Sequence, residues 1–318
     1  MALLFVWQAL WLRLLDSALL AFAFVQLAYI FHDAGHRQIF GRSRQNDLVM
    51  LLVGLLVGSS RSWWYETHNL HHSNPNDLDL DPNTALPILN FSEQQAGNRK
   101  GFLSRLTRFQ AYYFFPMLAL EGVGARVASL QFLVKGNARY RLVESIGMAL
   151  HLVLYVGLLF AVMPVGQAVL FMLVHQGLAG LYMGSVFAPN HKGMLVPDAA
   201  SRLDFFHRQV LSSRNIAPNP LVDTWYGGLN YQIEHHLFPT MPRNKLKAAR
   251  LVVKEYCCER AIPYYETSIW QSYTEIARYL HRAVAPLRAE RPKLAELREP
   301  FRAASGLRKE DSSVGKSA

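Results

Sequence analysis

Residues 143–188, VESIGMALHLVLYVGLLFAVMPVGQAVLFMLVHQGLAGLYMGSVFA, decide the fold. Val143 to Met163 and Val165 to Ala188 are each an apolar run close to the roughly 20 residues a helix needs to cross a bilayer. Pro164 and Gly166 lie at the junction as turn residues. The stretch therefore reads as a hairpin of spanning helices that crosses twice and returns to the side it left. A further run, Leu14 to Phe31, belongs to an N-terminal stretch that is apolar from the start and broken by Arg13 and Asp16. Stretches 48–58 and 109–120 are apolar but too short to cross, and are expected to lie in the interface or to dip in and return. Trp63, Trp64 and Tyr65 follow the first of these and are residue types that settle at headgroup depth. The expected fold is all-α: an integral membrane helical protein with three to four transmembrane helices and a cytosolic helical cap.

Composition agrees with a chain that is part embedded and part water-facing. Of its 318 residues 51% are hydrophobic, and mean hydropathy is only +0.07. The net charge is +10, with basic residues gathered after residue 200, from Arg243 to Arg250 and from Arg278 to Lys309. Basic flanks beside apolar spans mark the cytoplasmic side of a membrane protein and face anionic lipid. Nucleic acid is not an expected partner, because no recognition motif accompanies the charge. The only cysteines, Cys257 and Cys258, are adjacent, so no disulfide framework exists and a reducing compartment fits. The N-terminus has no basic leader and no small-residue cleavage site, and reads as a membrane segment instead of a signal peptide. Residues 1–262 are expected to form one membrane domain and 263–289 a cytosolic helical extension. Residues 290–318 are expected to be a disordered basic tail. Within the cap, Asn244 to Arg260 reads as an amphipathic helix with Leu246, Leu251, Val252 and Tyr256 as its buried stripe.

Three clusters hold seven of the twelve histidines: His32-Asp-Ala-Gly-His36, His68-Asn-Leu-His71-His72 and Gln232-Ile-Glu-His235-His236. Residues three and four apart share a helix face, so each cluster projects its imidazoles together. A lone histidine beside an apolar helix is usually a packed core residue; three clusters at helical spacing are not explained that way. Neutral imidazole is a strong ligand for iron, zinc and copper. No full-length span separates the first cluster from the second, and the hairpin crosses twice before the third, so all three fall on one membrane face. His191, directly after the hairpin, makes an eighth imidazole there. Eight exceed the roughly four to six ligands of one ion and suit two. Asp33, Asn69, Asn190 and Glu234 are placed to orient ligands or hold a water. His151 and His175, inside the spans, read as helix–helix hydrogen-bonding residues, and His207 and His281 are isolated. Asp77-Leu-Asp79-Leu-Asp81 resembles the opening of a calcium loop, but Pro82 replaces the turn glycine and Ile88 the final glutamate. It reads as a polar loop capping the metal face. No His-Glu-x-x-His and no Gly-rich phosphate loop occurs.

Over about residues 14 to 260 the boxes, their order and their setting resemble the membrane-bound fatty acyl desaturases, non-haem di-iron oxygenases. Asn230-Tyr-Gln-Ile-Glu-His-His-Leu-Phe-Pro-Thr-Met-Pro-Arg243 resembles the third box of the front-end branch, where a glutamine stands in place of a histidine. His-Asp-Ala-Gly-His and Trp-Trp-x-x-x-His-Asn-x-His-His match the same branch. The resemblance implies two iron ions held by His32, His36, His68, His71, His72, His191, His235 and His236, with Gln232 a poor ligand acting beside them or through a water. It implies O2 as co-substrate, a fatty acyl chain as substrate, and a cis double bond as product. A fatty acyl or lipid hydroxylase or ketolase on the same scaffold is the alternative, and a metal transporter a more distant one. Nothing resembling a fused cytochrome b5 domain with a His-Pro-Gly-Gly motif is present. Electrons are thus expected indirectly from NAD(P)H, through a separate ferredoxin or cytochrome b5-like carrier and its reductase. The family carries two spans before its first box, whereas 31 residues precede it here, so the first span is expected to be truncated. In a bacterial source the membrane would be the plasma membrane, with boxes and C-terminus cytoplasmic.

Overall fold

The structure is a computed structural model that describes residues 5–197 and 202–288; the expected disordered tail 290–318 lies outside them. Helices follow one another as α1 (Leu10–Gly35), α2 (Ser43–Val57), α3 (Arg61–Ser73), α4 (Glu93–Asn98), α5 (Gly101–Thr107), α6 (Gln110–Met117), α7 (Glu121–Lys135), α8 (Arg141–Val162) and α9 (Val165–His191). The cap comprises α10 (Phe205–Leu211), α11 (Pro220–Trp225), α12 (Gln232–Leu237), α13 (Arg243–Glu259), α14 (Ile269–Ala283) and α15 (Ala285–Arg288). A two-residue parallel pair ties the cap together, β1 (Asn215–Ile216) to β2 (Glu266–Thr267).

The hairpin forms as α8 and α9, reaching outward to Arg141 and His191. At its turn Arg13 of α1 donates to Val162 O at 3.3 Å, and also bonds Gln167, Trp7 O and Gln8. These partners let a buried cation sit inside the helix. α1 therefore runs 26 residues, about 39 Å at 1.5 Å per residue, longer than the apolar window 14–31.

Among the described residues four helical runs are long and apolar enough to cross a membrane: Leu10–Gly35, Gln110–Lys135, Arg141–Val162 and Val165–His191. The architecture is that of an integral membrane protein. The second of these extends the 109–120 stretch, because α6, a 3₁₀ turn at Leu118–Leu120 and α7 run on without a break. Glu121, Gly122, Gly124 and Arg126 dilute the apolar signal beyond residue 120. Geometry limits how many of the four cross. α2 and α3 bend by 107° at Gly58, whose φ of 69° is left-handed and suits glycine. The ends of α1, α3 and α9 meet, since His36 lies 2.9 Å from His68 and the His71 and His191 rings are 4.6 Å apart. An even number of crossings must separate each of these ends. With α8 and α9 crossing, Gln110–Lys135 does not.

α1 packs on α9 through Ala21, Val25 and Tyr29 against Ala179, Tyr182 and Val186, and Ile216, Val222, Tyr226 and Leu229 of the cap close the same core. Ile276 and Leu280 of α14 pack with Phe114, Leu118, Leu89 and Phe91. The α13 stripe differs from the sequence reading. Leu246, Val253 and Cys257 are buried, whereas Leu251, Val252 and Tyr256 are 64%, 68% and 41% exposed. The helix carries two apolar faces, and docking against Val210, Ile233 and Leu237 buries the one bearing Val253 and Cys257.

Candidate metal centre

Each box sits where a helix ends. The first occupies the last turn and C-cap of α1, the second the last two turns of α3, the third the short helix α12, and His191 is the final residue of α9. Ser60 caps α3 by accepting from Trp63 N, which sets the face on which His68, His71 and His72 appear. Gly35 lets Trp64 lie against α1: a Cβ there would meet the Trp64 ring at 2.0 Å. Trp64 in turn stacks on His68, with ring centroids 4.2 Å apart.

The structure brings all eight sequence-derived imidazoles together, in two groups. Ring nitrogens of His32, His36, His68, His72 and His235 lie within 4.8 Å of one another, and those of His71, His191 and His236 do likewise. His72 and His236 stack at 4.1 Å and join the groups. In the larger group Nε2 atoms face each other: His36 to His68 at 2.9 Å, His68 to His72 at 3.0 Å, His72 to His235 at 3.2 Å.

The smaller group is fixed from outside. His71 Nδ1–H donates to Asp81 Oδ2 at 2.9 Å, His191 Nδ1–H to Ser212 O at 3.0 Å, and His236 Nδ1–H to Gln209 Oε1 at 2.9 Å. All three partners are acceptors, so each Nδ1 carries the proton and each Nε2 offers a lone pair inward. Asp81 is itself held by Asn76 N and Asn83 N, both at 2.9 Å. Burial works to raise its pKa, but the hydrogen bond from His71, with the Lys192 cation and the Asn83 amide beside it, prevails and holds the carboxyl well below the usual range. Burial, reinforced by neighbouring imidazoles, pushes His235 and His236 well below the usual histidine range, so both are neutral and ligand-competent.

Gln232 and Asn190 belong to this group. Asn190 Nδ2 donates to Gln232 Oε1 at 2.9 Å, and the Gln232 amide lies 2.9 Å from His191 Nε2. The other expected orienting residues do less. Asp33 Oδ1 is 3.8 Å from His32 Nδ1, too long for a hydrogen bond, and its firm partner is Arg243 at 3.0 Å. Asn69 is exposed on α3. Glu234 accepts from Asn215 at 2.7 Å and Tyr264 at 2.9 Å, tying α12 to β1 without touching an imidazole. His175 bonds Tyr155 across the hairpin at 2.7 Å, and half-buried His207 pairs with Asp204.

Sequence reasoning missed Asp81, Gln209 and Ser212 as partners of the histidines. Asp81 alone left a signal, as a polar loop residue ten positions after His71. Converging neutral nitrogens this close share too few protons to satisfy one another, and His236 Nε2, which points inward, is buried without a partner. A cation between the rings resolves that cost, so the donor set fits metal.

Fold and site together define a membrane-embedded protein with a histidine cluster suited to metal. A family model described as fatty acid desaturase matches residues 6–268. The chain belongs to the fatty acid desaturase family. It is 33% identical over 289 residues to the Delta(6)-fatty-acid desaturase fat-3 of Caenorhabditis elegans, covering 86% of this chain and 65% of that one. It is 31% identical to the acyl-lipid (9-3)-desaturase of Physcomitrium patens, covering 87% and 54%. Against the Delta(8)-fatty-acid desaturase 2 of Arabidopsis thaliana, identity is 31%, covering 91% and 68%. The chain thus spans between about half and two thirds of the length of these relatives.

Proposed function

We propose that the protein is an O2-dependent fatty acyl desaturase that introduces a cis double bond, with front-end regioselectivity, into an acyl-CoA or acyl-lipid chain. One observation carries this reading: eight buried or half-buried imidazoles converge in groups of five and three where the C-terminal ends of α1, α3 and α9 meet α12. Similarity to proteins named Delta(6), Delta(5) and Delta(8) desaturases supports the reaction and its front-end position. Ligands at helix ends on one face, away from the middle of the spans, weigh against metal transport.

His32, His36, His68, His72 and His235 would hold one iron, and His71, His191 and His236 the other, with Gln232 beside it. The two ions, when bound, supply the oxidising power toward O2 that acid–base side chains lack for breaking a methylene C–H bond. The chain's own residues prepare the place. Asp81, Ser212 and Gln209 keep three imidazoles in the ligating tautomer, Trp64 fixes the plane of His68, and the α1–α9 core excludes water from one side. The overall change removes two hydrogens from the acyl chain. These, with two electrons and two protons from outside, reduce O2 to two waters. The electrons derive from NAD(P)H through a separate ferredoxin or cytochrome b5-like carrier and its reductase. The site faces the cytoplasm together with α13 and its cations.

Expression in a host lacking such products, followed by lipid analysis, tests this. New double bonds that vanish on His71→Ala are expected; hydroxy acids, or an unchanged profile with folded protein present, contradict the reading.

A further inference from the structure

The segment from Arg99 to Arg141 carries eight arginines and lysines and a single acid, Glu121. Lys100, Arg105, Arg108, Lys135, Arg139 and Arg141 are exposed, and they stand at the two ends. Between them α7 and the turn before it present Leu120, Val123, Val127, Leu130 and Val134, which are 63%, 42%, 47%, 41% and 70% exposed. Their spacing of three, four, three and four residues draws one apolar stripe along the helix. Phe102, Phe109 and Tyr112 add aromatic side chains at 74%, 56% and 73% exposure near the basic N-terminal end.

The opposite face of this segment is packed on protein: Leu118 meets Gly184, Arg126 bonds Gln176, and Ser129 Oγ accepts from Ser60 N at 3.1 Å. Crossing parity keeps both ends on the histidine side. A helix with an apolar outer stripe, cationic ends and no crossing has the make-up of one lying in the plane of a leaflet. The stripe also continues into Leu142, Val143 and Ile146 of α8, exposed at 72%, 54% and 58%, which face lipid if α8 spans. A second copy of the chain would bring like charges together at both ends.

We infer that residues 99–141 form an in-plane anchor on the histidine side of the membrane that sinks its apolar stripe among acyl chains and gathers anionic phospholipid headgroups at its ends. The bound lipid touches the same helix that Ser129 joins to Ser60, the cap of α3, so the anchor also braces the second histidine box.

The test uses the full chain in vesicles of phosphatidylcholine, alone or with phosphatidylglycerol, in a Cys258→Ser background. A bimane label placed by Val123→Cys, Val127→Cys, Leu130→Cys or Val134→Cys reports depth through quenching by lipids spin-labelled at shallow or deep positions. All four sites should quench alike and most strongly with the shallow label. A steady progression from shallow to deep along the four would mean a crossing helix, and no quenching by any lipid would mean a protein partner; either overturns the inference. A label at Phe109→Cys should quench more with spin-labelled phosphatidylglycerol than with the choline lipid, and Arg105→Gln with Arg108→Gln should cut the difference at least severalfold, each cation contributing up to roughly fivefold. Equal quenching by both lipids would remove the anionic selectivity. None of these readouts involves metal or turnover, so their failure is separate from failure of the desaturase reading.

Discussion

Replacing Asp81 by asparagine should weaken one metal position and spare the other. The carboxylate is 2% exposed and takes the His71 Nδ1 proton at 2.9 Å while also accepting from Asn76 N and Asn83 N. A hydrogen bond to a charged partner contributes about 1.5–3 kcal/mol and a neutral one about 0.5–1.5 kcal/mol. Asp81→Asn therefore gives up about 1–2 kcal/mol, a loss of about 5- to 30-fold in affinity at the group of His71, His191 and His236, near the lower part of the usual range for outer partners of metal ligands. Chelator competition on purified protein, with metal content followed against chelator concentration, should resolve two steps. Only the weaker-held step should move. Melting of the metal-free form provides the control for folding, because the backbone donors of Asn76 and Asn83 also lose charge-assisted partners. Unchanged competition curves within twofold, or an equal loss at both steps, would refute the assignment of Asp81 to His71 alone.

Other outcomes follow from the same geometry. Arg214 is fully buried, donates to Pro189 O and Lys192 O around His191, and pairs with Glu275 at 2.5 Å. Arg214→Ala should cost about 3–5 kcal/mol, read by thermal unfolding, since it strands the buried Pro189 and Lys192 carbonyls and takes away the cation paired with Glu275; a loss under 1 kcal/mol would contradict this. A Cβ on Gly180 would lie 2.4 Å from the Ala119 carbonyl, whereas one on Gly177 meets nothing within 4 Å. Gly180→Ala should thus destabilise by about 1–3 kcal/mol, and Gly177→Ala should be neutral or mildly stabilising; equal melting temperatures would count against the α9 approach. The Glu266 carboxyl is held below its usual range by the hydrogen bond from Arg250, against burial, with Arg250 and Lys254 charges adding. A depressed folded-state pKa gives stability that is present above about pH 4.3 and lost as pH falls through the folded value. Because the pair is partly exposed, about 0.5–1 kcal/mol should disappear on acidification, and Glu266→Gln should flatten that part of the stability profile.

The residues that were legible in the sequence are those whose neighbours are local. Histidines three and four apart must share a helix face wherever that helix ends up, so the three boxes could be read directly, and crossing parity added His191. The hairpin was equally open to reading because its length and hydropathy are properties of one continuous stretch. What stayed hidden depends on distant partners. Ser212 contributes a backbone carbonyl, which no residue identity advertises, and Gln209 reaches His236 from a seven-residue helix. On α13 two apolar faces compete, and only the position of Ile233 and Leu237 decides that Val253 is inside and Leu251 outside. The continuity of α6 with α7 was concealed by Glu121 and Arg126, which interrupt an apolar count without interrupting a helix.

The central claim is that two histidine groups hold two iron ions in one chain. Elemental analysis of the purified, full-length protein tests it most directly, with iron measured against protein concentration. About two irons per chain are expected, from roughly four to six ligands per ion, falling toward one when His236 is replaced by alanine. A wild-type value at or below one, or zinc in place of iron, would contradict the account.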